Sequence, residues 1–121
     1  MKVVYVAGPY RASTEYEVLL NIQAAERLAL QVWQAGAACI CPHKNTAFFG
    51  GAADDNVWLT GDLEIIRRCD ALVCTSNWQS SVGAVGEVEL AHSLGIPVFD
   101  CIEDLKAWLE SQAPEPASRG S

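Results

Sequence analysis

Two hydrophobic periods take turns along this chain. Residues 2–7 read as one apolar run, the pattern of a central parallel strand buried on both faces. Gly8-Pro9 ends it, and Tyr10-Arg11-Ala12-Ser13 forms the loop before a helix predicted over residues 15–34. In that stretch Val18, Ile22, Ala25, Leu28, Ala29 and Val32 recur at helical spacing. Ser13 or Thr14 can cap its first turn, and Gly36 supplies the stop. Residues 37–41 are a second strand ended by Pro42. Residues 43–56 predict a loop, long for a simple connection and so a candidate lid or binding loop. A helix over 57–69 follows, with Leu59, Leu63 and Ile66 inward and Ile65 beside them. Then come a strand over 71–75, a helix over 85–94, a strand over 97–100 and a closing helix over 104–111. Strand and helix alternate throughout, so the expected fold is α/β: a three-layer sandwich around a flavodoxin- or Rossmann-like parallel sheet of four to five strands.

Composition narrows this only a little. With 121 residues, half of them apolar, the chain is expected to be one domain over 1–112 with a flexible Pro-, Ser- and Gly-rich tail over 113–121. The start reads directly into a strand with no signal-peptide layout, and no run approaches the length of a membrane span, so a cytoplasmic protein with no membrane contact is expected. Eight Lys and Arg against 15 Asp and Glu give a net charge of −7, which repels a nucleic-acid polymer but not a single nucleotide. The five cysteines show no CxxC pair or matching His spacing, so neither metal nor other cofactor is implied, and buried reduced thiols are the simpler reading.

One stretch concentrates the candidate chemistry: Ser80-Ser81-Val82-Gly83-Ala84-Val85-Gly86-Glu87, where a strand hands over to a helix. Backbone N–H groups at such a junction can hold phosphate or hydroxyl oxygens, and open α/β sheets bind ligands at the carboxyl ends of their strands. Three segments should meet there: Gly8 to Arg11, Pro42 to Asn45, and Ser76 to Glu87. Asp62, on the preceding helix, is then placed to share a crevice with Glu87. Two carboxylates about 5 Å apart are what a retaining glycosidic displacement uses, one as nucleophile and one as proton donor.

Tyr5-Val6-Ala7-Gly8-Pro9-Tyr10, Gly61-Asp62-Leu63, Cys69-Asp70-Ala71-Leu72-Val73 and Gly83-x-x-x-Glu87-x-x-x-Ala91, in that order, resemble the nucleoside 2-deoxyribosyltransferase superfamily, which includes deoxynucleoside 5'-monophosphate N-glycosidases and small bacterial and phage members. The resemblance spans residues 3 to about 100. It implies an enzyme that cleaves the N-glycosidic bond of a (2'-deoxy)nucleoside or its 5'-monophosphate, by hydrolysis or by transfer to another base, without a cofactor. Glu87 matches the attacking glutamate, Asp62 the acid that assists the departing base, and Tyr5 the strand-end tyrosine that orients the nucleophile. Ser81 stands where monophosphate N-glycosidases have a serine and free-nucleoside transferases an aspartate. Gly8, Pro9, Tyr10, Arg11, His43, Ser81 and Gly83 are the expected substrate contacts, Arg11 towards a phosphate. A homodimer or larger homo-oligomer is implied too. The first loop departs from the Gly-rich sequence of the monophosphate enzymes, and no C-terminal segment matches the one with which transferases complete a neighbour's pocket.

Each residue also has a plainer use. Tyr5 can be a core aromatic, Ser81 only a cap, Asp62 an early-helix acid, and His43 the holder of a structural hydrogen bond. Trp58 and Trp78 can stack on a base or simply pack. The competing functions are a phosphoribohydrolase of the cytokinin-activating kind, whose Pro-Gly-Gly-x-Gly-Thr-x-x-Glu segment the 81–87 stretch matches poorly, and a non-enzymatic nucleotide-binding module.

Overall fold

A computed structural model describes residues 1–112; the expected tail lies outside the described residues. The elements run β1 (Val3–Ala7), α1 (Glu15–Gln34), β2 (Ala38–Ile40), α2 (Pro42–Asn45), α3 (Asp55–Arg67), β3 (Ala71–Cys74), a 3-10 turn (Trp78–Ser80), α4 (Val82–Ser93), β4 (Val98–Phe99) and α5 (Ile102–Ser111). All strand pairs are parallel in the order β2-β1-β3-β4, with Tyr5 opposite both Ile40 and Leu72 and Ala7 opposite Cys74. From β1 the chain moves one way to β2, then returns past β1 to β3 and β4. With one crossover hand, a reversal of direction puts the connecting helices on opposite faces. The packing agrees: α1 and α5 cover one face, α3 and α4 the other. The expected three-layer α/β architecture is what the chain adopts, with four strands.

The apolar run of β1 follows from this sandwich. Val4 and Val6 point into the layer of Ala25, Leu28, Val32 and Leu105, while Tyr5 and Ala7 point into that of Ile66, Leu72, Val88 and Ala91. Both faces are dry, so neither side of the strand carries an exposed residue. Ile66, wholly buried, anchors α3, and truncating it to alanine should cost about 2–5 kcal/mol. Helix α1 begins where Thr14 accepts the Glu17 amide at 3.1 Å and stops before Gly36, whose φ of +92° suits a residue without Cβ.

Several boundaries differ from the sequence reading. Part of the expected 43–56 loop is the short helix α2, started by Pro42 at a position where a missing N–H costs nothing. Helix α3 starts at Asp55, because Asp54 caps the Asn56 amide. Helix α4 starts at Val82 rather than 85, because Ser81 Oγ accepts the Ala84 amide at 3.2 Å. The closing helix starts at Ile102, and β4 is reduced to two residues. Leu59 and Leu63, expected inward, are 52% and 36% exposed, because α3 meets the sheet through Ile66 and Ile65. The thiols of Cys39, Cys69 and Cys74 are buried and free, and burial pushes them up to about 12, 11 and 12. Among the described residues no helix is long and apolar enough to cross a membrane.

Candidate active site

Because β2 and β3 lie on opposite sides of β1, the direction of winding switches between β1 and β3, where open sheets form a ligand crevice. The two strand ends pass closely. A Cβ on Gly8 would stand 2.5 Å from Thr75 Oγ1 and 2.8 Å from its Cγ2, so only glycine fits there. Thr75 Oγ1 in turn donates to Asn77 Oδ1 at 3.0 Å, which fixes the start of the segment leading to Ser81.

On the α3/α4 face, three side chains predicted from far-apart parts of the sequence come together. The hydroxyl of Tyr5 donates to Glu87 Oε2, and both feel the charge of Asp62. Tyr5 is not at a strand end as expected; it is the third of five residues in β1 and fully buried, and its length carries the hydroxyl up to α4. Glu87 is the sixth residue of α4, well past the first turn. Burial is the main cause that pushes its carboxyl from the ordinary 4.5 to about 7; the Asp62 charge adds to this and the Tyr5 hydrogen bond opposes it. Burial also lifts Asp62 to about 6. Tyr5 is raised well above its usual value, chiefly by burial and then by the two carboxylates, so it remains a proton donor at any working pH. Near neutrality the carboxylate pair therefore passes through a form holding one proton.

A second cluster occupies the carboxyl ends of β1 and β2. His43, only 6% exposed, has Nε2 at 2.8 Å from the Pro9 carbonyl oxygen, and its ring lies 5.8 Å from that of Tyr10 at a tilt of 59°. Burial lowers the His43 pKa, and the carbonyls of Pro9 and Gly8 oppose that. Asn21 Nδ2 donates to the Tyr10 carbonyl at 3.2 Å, tying the first loop to α1.

The remaining predicted residues sit at the margins. Arg11 is exposed and paired with Asp55 in the first turn of α3, so the first loop is clasped to that helix. Gly83 is exposed one turn before Glu87, with nothing nearer than Ser81 Oγ at 3.8 Å from where its Cβ would be. Trp58 packs on Phe49, and Trp78 Nε1 donates to Asp100 Oδ1 at 3.2 Å. Asp55, Thr75 and Asp100 were not singled out from sequence. Only Asp55 had a signal, as an acid following the capping Asp54. Among the described residues no three His, Cys, Asp or Glu side chains gather as a metal site.

The architecture is shared with solved structures. A 2-deoxyribosyltransferase from the psychrotolerant bacterium Bacillus psychrosaccharolyticus superposes with a TM-score of 0.61 at 19% identity, over 86% of this chain and 90% of that one. A conserved protein from Enterococcus faecalis V583 superposes with a TM-score of 0.63 at 24% identity, over 81% of this chain but only 61% of that one. At such identities the likeness is one of fold. No curated protein matches the chain in sequence. Residues 2–100, which hold every strand and each candidate residue above, match the family described as a domain of unknown function (DUF4406), and the chain belongs to that family.

Proposed function

We propose that this protein cleaves the N-glycosidic bond of a (2'-deoxy)nucleoside or nucleoside 5'-monophosphate through a covalent glycosyl-enzyme on Glu87. The observation that carries the reading is the half-buried Tyr5–Glu87 hydrogen bond, with the charge of Asp62 felt by both partners. A carboxylate oxygen held by one donor and within the electrostatic reach of a second acid suits displacement at an anomeric carbon.

In the first step a Glu87 oxygen bonds to the anomeric carbon as the C–N bond breaks. The electron pair goes to the base nitrogen, and Asp62 supplies the proton that makes the base a neutral leaving group. In the second step water, or the nitrogen of another base, attacks the same carbon. Its proton passes to Asp62, and Glu87 leaves as the free carboxylate. Tyr5 steadies the charge that returns to Glu87. The reacting form needs Glu87 ionised and Asp62 protonated, and the pair's values near 7 and 6 make that form a minor one with its maximum between them. The solved relative named as a 2-deoxyribosyltransferase lends support through shared architecture.

A 5'-phosphate would lie against the start of α4. Ser81 Oγ spends an acceptor site on the Ala84 amide, and its hydroxyl proton remains available to a phosphate oxygen. Arg11 would reach the same phosphate by exchanging Asp55 for it. We place the enzyme in the cytoplasm as a homodimer or larger homo-oligomer. The test is incubation of pure protein with nucleosides and their monophosphates, with chromatography for free base and mass spectrometry for a glycosyl adduct. Base release with an adduct on Glu87 is expected; release undiminished in Glu87→Ala would refute the assignment.

A further inference from the structure

We propose that Nδ1 of His43 is an acceptor kept for a hydrogen-bond donor of the bound nucleoside, an exocyclic amino group or a sugar hydroxyl, and never for phosphate. This rests on the nucleoside reading above. The first observation is the tautomer. Nε2 faces the Pro9 carbonyl oxygen at 2.8 Å, and a carbonyl can only accept, so the ring proton sits on Nε2. A neutral imidazole has one such proton, which leaves a lone pair on Nδ1. The second observation is that this lone pair is buried and no donor among the described residues reaches it. A buried polar atom left without a partner calls for an explanation, because an apolar side chain would fill the same space without that penalty.

The third observation is position. His43 lies just past β2, against Pro9 at the end of β1, on the carboxyl edge where this topology binds ligands. Its aromatic neighbour, Tyr10, is 47% exposed and its ring centroid lies 5.8 Å from that of the imidazole, so the cluster reaches the surface on that side. The lone pair then selects by chemistry. A phosphomonoester dianion has only acceptor oxygens to offer and is repelled, whereas an N–H or O–H is accepted. Burial works against the imidazolium form that would reverse this preference.

The experiment is a nitrogen-15 titration, at pH 8, of histidine-labelled protein with 2'-deoxyadenosine, purine 2'-deoxyriboside and methyl phosphate, a dianion without a hydroxyl. Without ligand, Nε2 should resonate as a protonated nitrogen and Nδ1 as an unprotonated one free of hydrogen bonds. Deoxyadenosine should move Nδ1 towards the hydrogen-bonded range, and methyl phosphate should not. An equal shift with the purine deoxyriboside, which lacks the amino group, assigns the donor to the sugar; its absence assigns the donor to the base. An Nδ1 signal unmoved by both nucleosides, or already hydrogen-bonded without them, overturns the inference. In turnover, His43→Asn keeps an acceptor oxygen where Nδ1 stands and should raise KM less than His43→Gln does. His43→Gln keeps only the donor to Pro9 and should raise KM about tenfold with kcat little changed. The opposite ranking, or equal losses, also overturns it. The titration needs no turnover, so a protein that binds nucleoside through Nδ1 but releases no base refutes the proposed function alone.

Discussion

Replacing Glu87 by glutamine should make the protein more stable in alkaline solution and leave it unchanged in acid. The carboxyl titrates at about 7 in the folded chain and at an ordinary 4.5 once unfolded. Between those values the folded state holds a proton that the unfolded state has lost, so wild-type stability falls as pH rises through that window. The displacement from 4.5 to about 7 corresponds to roughly 3 kcal/mol, reduced to about 2–3 kcal/mol by water reaching a carboxylate that is only partly buried. Glutamine keeps an oxygen for the Tyr5 hydroxyl and removes the titration. Every other ionisable group contributes to both proteins and largely cancels in their difference. At pH 3.5 the two should melt together; at pH 8.5 the variant should melt about 10 °C higher for a chain of this size. Urea unfolding at both pH values measures the same difference directly. A gap between the two proteins that is the same at both pH values, or a variant weaker in alkali, would refute the claim that burial holds this carboxyl up. The variant should release no base, so stability and chemistry part at one atom.

Other outcomes follow from the same geometry. Tyr5→Phe removes the donor to Glu87, so the carboxyl should rise further and base release at pH 7 should fall about 10- to 100-fold; the alkaline limb of the rate profile should move to higher pH while the acid limb stays in place, which steady-state kinetics would record. The wild-type profile of kcat/KM should be a bell peaking between about pH 6 and 7, and Asp62→Asn should abolish its alkaline limb along with most of the rate. Gly8→Ala drives a methyl into Thr75 and should cost about 1–3 kcal/mol in denaturant unfolding, with Thr75→Ala returning part of it in the double variant. Arg11→Ala should change stability by under about 1 kcal/mol, since its pair with Asp55 is exposed.

The alternation of elements was legible because each β-strand is short and apolar and α1, α3 and α4 each carry a side-chain cap. Thr14, Gly36 and Ser81 all serve as their residue types suggest. The boundary of α4 was misread because Gly83 and Gly86 are poor helix formers, and here the Ser81 cap outweighs them. Helical spacing put Leu59 and Leu63 in the core, yet periodicity gives only a stripe's direction, not how much of it a neighbour covers. The meeting of Tyr5 with Glu87, 82 positions apart, is not contained in any local pattern; the family resemblance suggested it and the fold brings the two side chains into contact. The Pro9–His43 bond had no signal beyond a histidine after a proline.

Along β1, neighbours one residue apart answer to different layers: Val4 and Val6 to α1 and α5, Tyr5 and Ala7 to α3 and α4. Tinkering with the first layer should therefore trade in melting temperature alone, and drift in the second in turnover. A laboratory wishing to harden this scaffold has half of its interior free to repack, provided the odd-numbered positions of one five-residue strand are left as they are.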